Sequence, residues 1–146
     1  MAIIMSKRGQ NRCSGARFQL QGASACVKFV AAMEKTLFQK IADKEIPSDM
    51  VYEDELCVAF RDITPVAPVH VLLVPRKPIP SIEAAAAEDA ELLAHLMLKV
   101  GEIARAEGLA EGGFRTVMNT GAAAGQTVPH LHIHIIGGRS MQWPPG

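Results

Sequence analysis

The run His130-Leu131-His132-Ile133-His134-Ile135-Ile136 alternates imidazole with aliphatic side chains. Successive side chains of a strand point to opposite faces. A strand over Leu131–Ile136 therefore sends Leu131, Ile133 and Ile135 into a core and lines His130, His132 and His134 along the other face. One histidine on a strand is usually structural. Three in strict alternation are hard to explain by packing, so this stretch is both an element of a sheet and the first place to look for chemistry.

Working back from it, Asn119–Thr127 (N-T-G-A-A-A-G-Q-T) is a loop of small residues, preceded by a strand over Phe114–Met118. A long helix over about Ala87–Ala106 carries an apolar stripe of Leu92, Leu93, Leu96, Val100 and Ile103, and Gly108 stops it. Val69–Val74 reads as the most buried strand, ended by Pro75. The two prolines of Asp62–Pro68 make that segment a loop. Leu56–Arg61 is another strand, and a shorter one lies around Met50–Tyr52. Thr36–Asp43 reads as a short helix, capped by Thr36, with Leu37, Phe38 and Ile41 on one side and Pro47-Ser48 beyond its end. The short links between the first three strands favour an antiparallel sheet. The expected fold is α+β: about five antiparallel strands with one long and one short helix, both on one face.

The chain has 146 residues, 49% hydrophobic and 21% charged, with fifteen charges of each sign. That suits a single core, and it lacks the basic excess of a nucleic-acid binder. A small ligand is expected instead. Cys13, Cys26 and Cys57 are odd in number and form no C-x-x-C pair, which argues against a disulfide framework or a cysteine zinc site and for a reducing compartment. No apolar run approaches the roughly 20 residues of a membrane span. Residues 1–33 contain Lys7, Arg8, Arg12, Arg17 and Lys28 but no acid. They read as a leader or disordered tail with the composition of a transit peptide. Residues 34–146 form the domain. The expected location is intracellular, in the cytoplasm, or in an organelle if the leader directs import.

Three aligned imidazoles suggest two chemistries. Same-face residues on a strand are ~6.6 Å apart, so the outer pair is ~13 Å apart. Zinc–nitrogen bonds are about 2.0–2.1 Å, so one ion cannot gather all three without bending the strand; two could chelate with help from His70 or Asp62. The spacing disfavours a metal, and no metal or cofactor is expected. The other chemistry is nucleophilic and acid–base work on phosphorus, for which histidine titrates in the right range. The loop agrees. Asn119 can sit beside the histidine row, and Gly121, Gly125 and Thr127 can offer amides, with the Thr127 hydroxyl, to a phosphate. His70 opens a buried strand and can reach the same place. His95, on the long helix, reads as surface or helix packing.

The histidine row followed by Gly137-Gly138-Arg139-Ser140-Met141-Gln142-Trp143-Pro144-Pro145-Gly146 resembles the histidine-triad nucleotide-binding proteins. Phe38-Gln39-Lys40-Ile41, Lys44-Glu45-Ile46-Pro47, Ala59-Phe60-Arg61-Asp62-Ile63 and Ala67-Pro68-Val69-His70-Val71 carry the same resemblance, which spans about Lys35 to Gly146. It implies a homodimer whose sheets join, and metal-free hydrolysis of purine nucleoside phosphoramidates such as AMP joined to an amine. By position it implies His132 as nucleophile, forming a nucleotidyl-histidine intermediate. His130 would support its orientation, His134 contact the phosphate, and His70 be a fourth histidine of the site. Asp62 would bind ribose hydroxyls. Phe38, Ile41, Phe60 and Ile63 would wall the purine. Asn119, Gly125 and Thr127 would contact the phosphate, and Trp143 would lie near the partner subunit's site.

The sequence departs from that pattern at Thr127, where serine is more usual, at Pro129, where an aromatic is more usual, and at Ala122-Ala123-Ala124, where the loop is commonly more polar. These changes bear on the leaving group rather than on the chemistry. Two other readings are a dinucleoside polyphosphate hydrolase, against which the C-terminal tail argues, and a nucleotide-binding interaction protein with incidental hydrolysis, against which the intact histidine row argues.

Overall fold

The computed structural model of the chain describes residues 34–145. The expected leader over residues 1–33 lies outside them. Five strands form one antiparallel sheet: β1 (Met50–Glu53), β2 (Cys57–Arg61), β3 (Val69–Pro75), β4 (Phe114–Val117) and β5 (Ile133–Gly137), in the order β1-β2-β3-β5-β4. Among the described residues there is one short α-helix, α1 (Leu37–Ala42), and one long one, α2 (Ala90–Ala106), led in by a 3-10 turn over Ala87–Asp89.

Local chemistry accounts for the ends. Thr36 and Gln39 form a reciprocal capping box at the start of α1. Gly108, at φ 73°, takes the chain out of α2. The β1–β2 turn is closed by Asp54, whose Oδ1 accepts the amides of Leu56 and Cys57 at 2.8 Å each. Its Oδ2 accepts from the Tyr52 hydroxyl and from His95 Nε2 at 2.7 Å, which ties α2 to the turn. His95 is thus a packing residue. Gly137 leaves room for Leu109: a Cβ there would stand 2.6 Å from the Leu109 Cδ2.

The helices lie on opposite faces of the sheet, not on one as expected. The α2 face packs Leu96, Val100, Ile103 and Ala104 against Cys57, Ala59, Val71, Leu73, Leu131, Ile133 and Ile135. The other face packs Phe38, Ile41 and Ala42 of α1 against Val58, Phe60, Leu72 and Val74. The reason is in β2 and β3, which are apolar at both parities. Cys57–Phe60 and Val71–Val74 are all nearly inaccessible to solvent. Such a strand must be covered twice. β5 alternates, and its histidine side faces α1. Leu96→Ala removes a fully buried side chain. It should cost about 2–5 kcal/mol, read as a lower urea midpoint with the fold retained.

Candidate active site

The third link of the β3–β5 ladder above His70 is the last. Leu73 pairs with Ile133, and no pair follows. The expected strand start at Leu131 is therefore corrected to Ile133. Pro75, opposite Leu131 in that register, has no N–H to give. Its carbonyl accepts from His130 Nε2 instead, at 2.8 Å. The His130 ring is fully buried. Its Nδ1 lies 2.8 Å from the Thr36 hydroxyl.

The histidine row still faces one way. Phe38 meets the His132 ring edge-on at 5.0 Å between centroids, and His132 meets His134 at 4.9 Å. His134 stacks on His70 at 5.2 Å. Backbone groups assign the protons. His132 Nδ1 lies 2.7 Å from the His130 carbonyl, which can only accept, so Nδ1 carries the hydrogen and Nε2 is left as a lone pair. The Val66 amide donates to His70 Nδ1 at 3.3 Å, so a neutral His70 bears its hydrogen on Nε2. That Nε2–H points to His134 Nδ1 at 2.9 Å, with Asp62 Oδ2 at 3.5 Å. His134 then carries its hydrogen on Nε2. This atom is buried and makes no hydrogen bond among the described residues. The row thus offers one lone pair, on His132, beside one unengaged N–H, on His134.

Burial favours the neutral form of His70, His130 and His134. Desolvation, with the neighbouring His132 and His70, pushes His134 down to about 4, against a smaller upward pull from Asp62. Desolvation also lowers His130 and His70. Asp62, His70 and His134 place three possible ligand atoms within 4.8 Å of one another, as do Asp54, Cys57 and His95. In both clusters, the hydrogen bonds above account for the closeness. Cys57 is free and buried.

Beside the row is a cavity of about 290 Å³ lined by Phe38, Ile41, Phe60, Asp62, Ile63 and Thr127 from the expected set, together with Leu72 and Val128. Its apolar walls and single carboxylate suit a flat base with a sugar. A larger groove of about 480 Å³, lined by Arg76, Lys77, Glu88 and His95, has no aligned imidazoles and mixes charges of both signs. Asn119, Gly125 and Trp143 do not line the 290 Å³ cavity. Asn119 Nδ2 lies 3.9 Å from where a Gly125 Cβ would stand, so the two are adjacent. Trp143 is 84% exposed.

Two loop amides are not available as expected. The Gly121 N–H donates to Gln126 Oε1 at 2.9 Å, and the Gly125 N–H to the Ala122 carbonyl at 3.0 Å. Gly125 sits at φ 84°, so its lack of a side chain permits the turn. The Thr127 amide and hydroxyl make no hydrogen bond among the described residues. Gln126 was not singled out from the sequence. Its Nε2 donates to the carbonyls of Pro80 and Val128, so it shapes the loop. The available signal was its being the one long polar side chain after Asn119 in a run of small residues.

Residues 43–141 match the family model of the HIT domain. The chain belongs to this family, the histidine-triad domain proteins. It is 60% identical over 113 residues to an uncharacterized HIT-like protein of Synechococcus elongatus, covering 77% of this chain and 98% of the relative. It is 46% identical over 108 residues to the purine nucleoside phosphoramidase of Escherichia coli, covering 74% and 91%. The crystal structure of a HIT family hydrolase from Legionella pneumophila superposes with a TM-score of 0.75 at 48% identity, covering 77% of this chain and 100% of that one.

An imidazole whose folded pKa lies below its unfolded value binds fewer protons when folded. The stability that depends on a neutral His134 is complete above pH 6.5 and is lost as pH falls toward about 4. The urea midpoint should drop across that interval, and His134→Gln should flatten the drop.

Proposed function

We propose that the protein is a metal-independent purine nucleoside phosphoramidase, acting through a nucleotidyl-histidine intermediate on His132. The observation that carries this reading is the proton pattern of the row. His132 Nδ1–H is held by the His130 carbonyl, which leaves Nε2 as a nucleophile beside the unengaged Nε2–H of His134. The likeness to the Escherichia coli phosphoramidase supports the choice of bond.

In this reaction the purine lies between Phe38, Ile41, Phe60 and Ile63, and Asp62 accepts hydrogen bonds from ribose hydroxyls. His132 Nε2 forms a bond to the α-phosphorus as the P–N bond to the leaving amine breaks. The amine nitrogen takes a proton from solvent. The imidazole becomes cationic as it is phosphorylated, and the His130 carbonyl stabilises that charge through Nδ1–H. His134 Nε2–H, the Thr127 amide and hydroxyl, and the Asn119 side chain stabilise charge on the phosphoryl oxygens, and Gly125 gives the loop its shape there. Water then attacks phosphorus, releasing the nucleoside monophosphate and restoring His132. Two displacements replace one difficult step. His70 holds the His134 tautomer. His130 acts through its carbonyl and touches no reacting atom.

The protein acts as a homodimer in this reading. β4 is one edge of the sheet, with Phe114 and Met118 exposed along it, and its Arg115 donates to the Gln142 carbonyl, next to the exposed Trp143. A covered edge strand and a docked tryptophan are the ordinary resolution of such features. The buried free thiol of Cys57 fits an intracellular, reducing location.

Wild-type protein should hydrolyse an AMP–amine phosphoramidate at the same rate with and without a strong chelator. His132→Ala should lower kcat by a factor on the order of 10³ or more while still folding. Full activity in that variant would exclude His132 as the nucleophile, and loss on chelation would restore a metal at the Asp62–His70–His134 cluster.

A further inference from the structure

Residues 130–132 lie beyond the last pair of the β3–β5 ladder. Two main-chain bonds hold them: His130 N–H to the Val128 carbonyl at 2.8 Å, and Leu131 N–H to the Ile79 carbonyl at 2.6 Å. The other restraint is the His130 ring. With Nε2–H committed to Pro75, a neutral His130 has only a lone pair at Nδ1. Full burial favours that neutral form. The group that reaches the lone pair is the Thr36 hydroxyl at 2.8 Å, and it must be the donor. The same oxygen accepts the Gln39 amide at 3.2 Å as the cap of α1. One hydroxyl therefore joins the helix that carries Phe38 and Ile41 to the residue whose carbonyl holds His132.

We propose that Thr36 is a positioning residue for the reaction: by donating to His130 Nδ1, it fixes the His130 carbonyl where it keeps His132 in the Nδ1–H form. It touches no reacting atom. Without the donor, the buried lone pair is unsatisfied and the ring turns or shifts. The carbonyl moves with it. His132 then populates the Nε2–H tautomer, which has no lone pair to attack with. The proposal rests on His132 being the nucleophile, but its effect on the tautomer does not need turnover.

The experiment compares Thr36→Ser, Thr36→Val and Thr36→Gly in the full chain. Serine keeps both cap and donor. Valine loses both. Glycine loses the donor but remains an acceptable helix cap, so it carries the test if the valine variant does not fold. Two readouts are taken: steady-state kinetics on an AMP–amine phosphoramidate, and imidazole ¹⁵N shifts of His132. The serine variant should stay within about threefold of wild-type kcat, and valine and glycine should lose roughly 10- to 100-fold in kcat with KM moved by no more than about twofold. The ¹⁵N spectra should show the Nδ1–H form in wild type and serine, with Nε2–H appearing in valine and glycine. A glycine variant that folds and keeps the wild-type His132 tautomer would reduce Thr36 to a helix cap and overturn the proposal. Absence of phosphoramidase activity in wild type would instead remove the functional reading, and the spectra would still decide the part played by Thr36.

Discussion

Pro75 closes β3 with a carbonyl and no amide, the β4 ladder ends at Val117–His134, and the chain before Ile133 therefore belongs to neither ladder. His130, Leu131 and His132 are consequently outside the sheet's hydrogen bonding, although they follow its direction. A regular strand would have spent the His130 carbonyl on a neighbour. Here that carbonyl accepts the Nδ1–H of His132. The proton pattern of the site, the burial of His130 against Phe38, and the reach of Thr36 from α1 all depend on that local release from the sheet.

The double covering of the sheet makes the site possible. The α2 face is packed with aliphatic side chains. The α1 face is only partly filled, because α1 is short and covers mainly β2 and β3. What α1 leaves open is the cavity lined by Phe38, Ile41 and Phe60, and Phe38 of α1 packs against the buried His132. Apolar packing brings the imidazoles into a poorly solvated place. This favours neutral rings at His70, His130 and His134. A neutral imidazole is what a chain of fixed tautomers requires.

The alternation in 130–136 and the stripe on α2 were enough to read the sheet, the long helix and the facing of the histidines. The apolar runs Cys57–Phe60 and Val71–Val74 carry a further constraint on the fold. Strands without alternation have no solvent face, and a second helix layer follows. Within the site, Asp62, His70 and the pocket walls were legible as residue types in known positions. The parts that escaped are those made by backbone. The Val66 amide, the Pro75 carbonyl and the inward turn of the Gly125 amide have no side-chain signature. The sequence shows Thr36 only in its nearest role, the cap, because its partner His130 lies 94 residues away.

Three of the groups that assign protons to the four histidines, the Val66 amide and the carbonyls of His130 and Pro75, belong to the main chain. Main-chain groups do not change when side chains do. Drift at position 66 is therefore silent for the relay whatever side chain it introduces, with the one exception of proline, which would delete the amide. The tautomers of His70 and His134 are in this sense insulated from most substitution around them. The side-chain members of the array are the His70 ring, which sets His134, and the hydroxyl of Thr36, which a single codon change can remove.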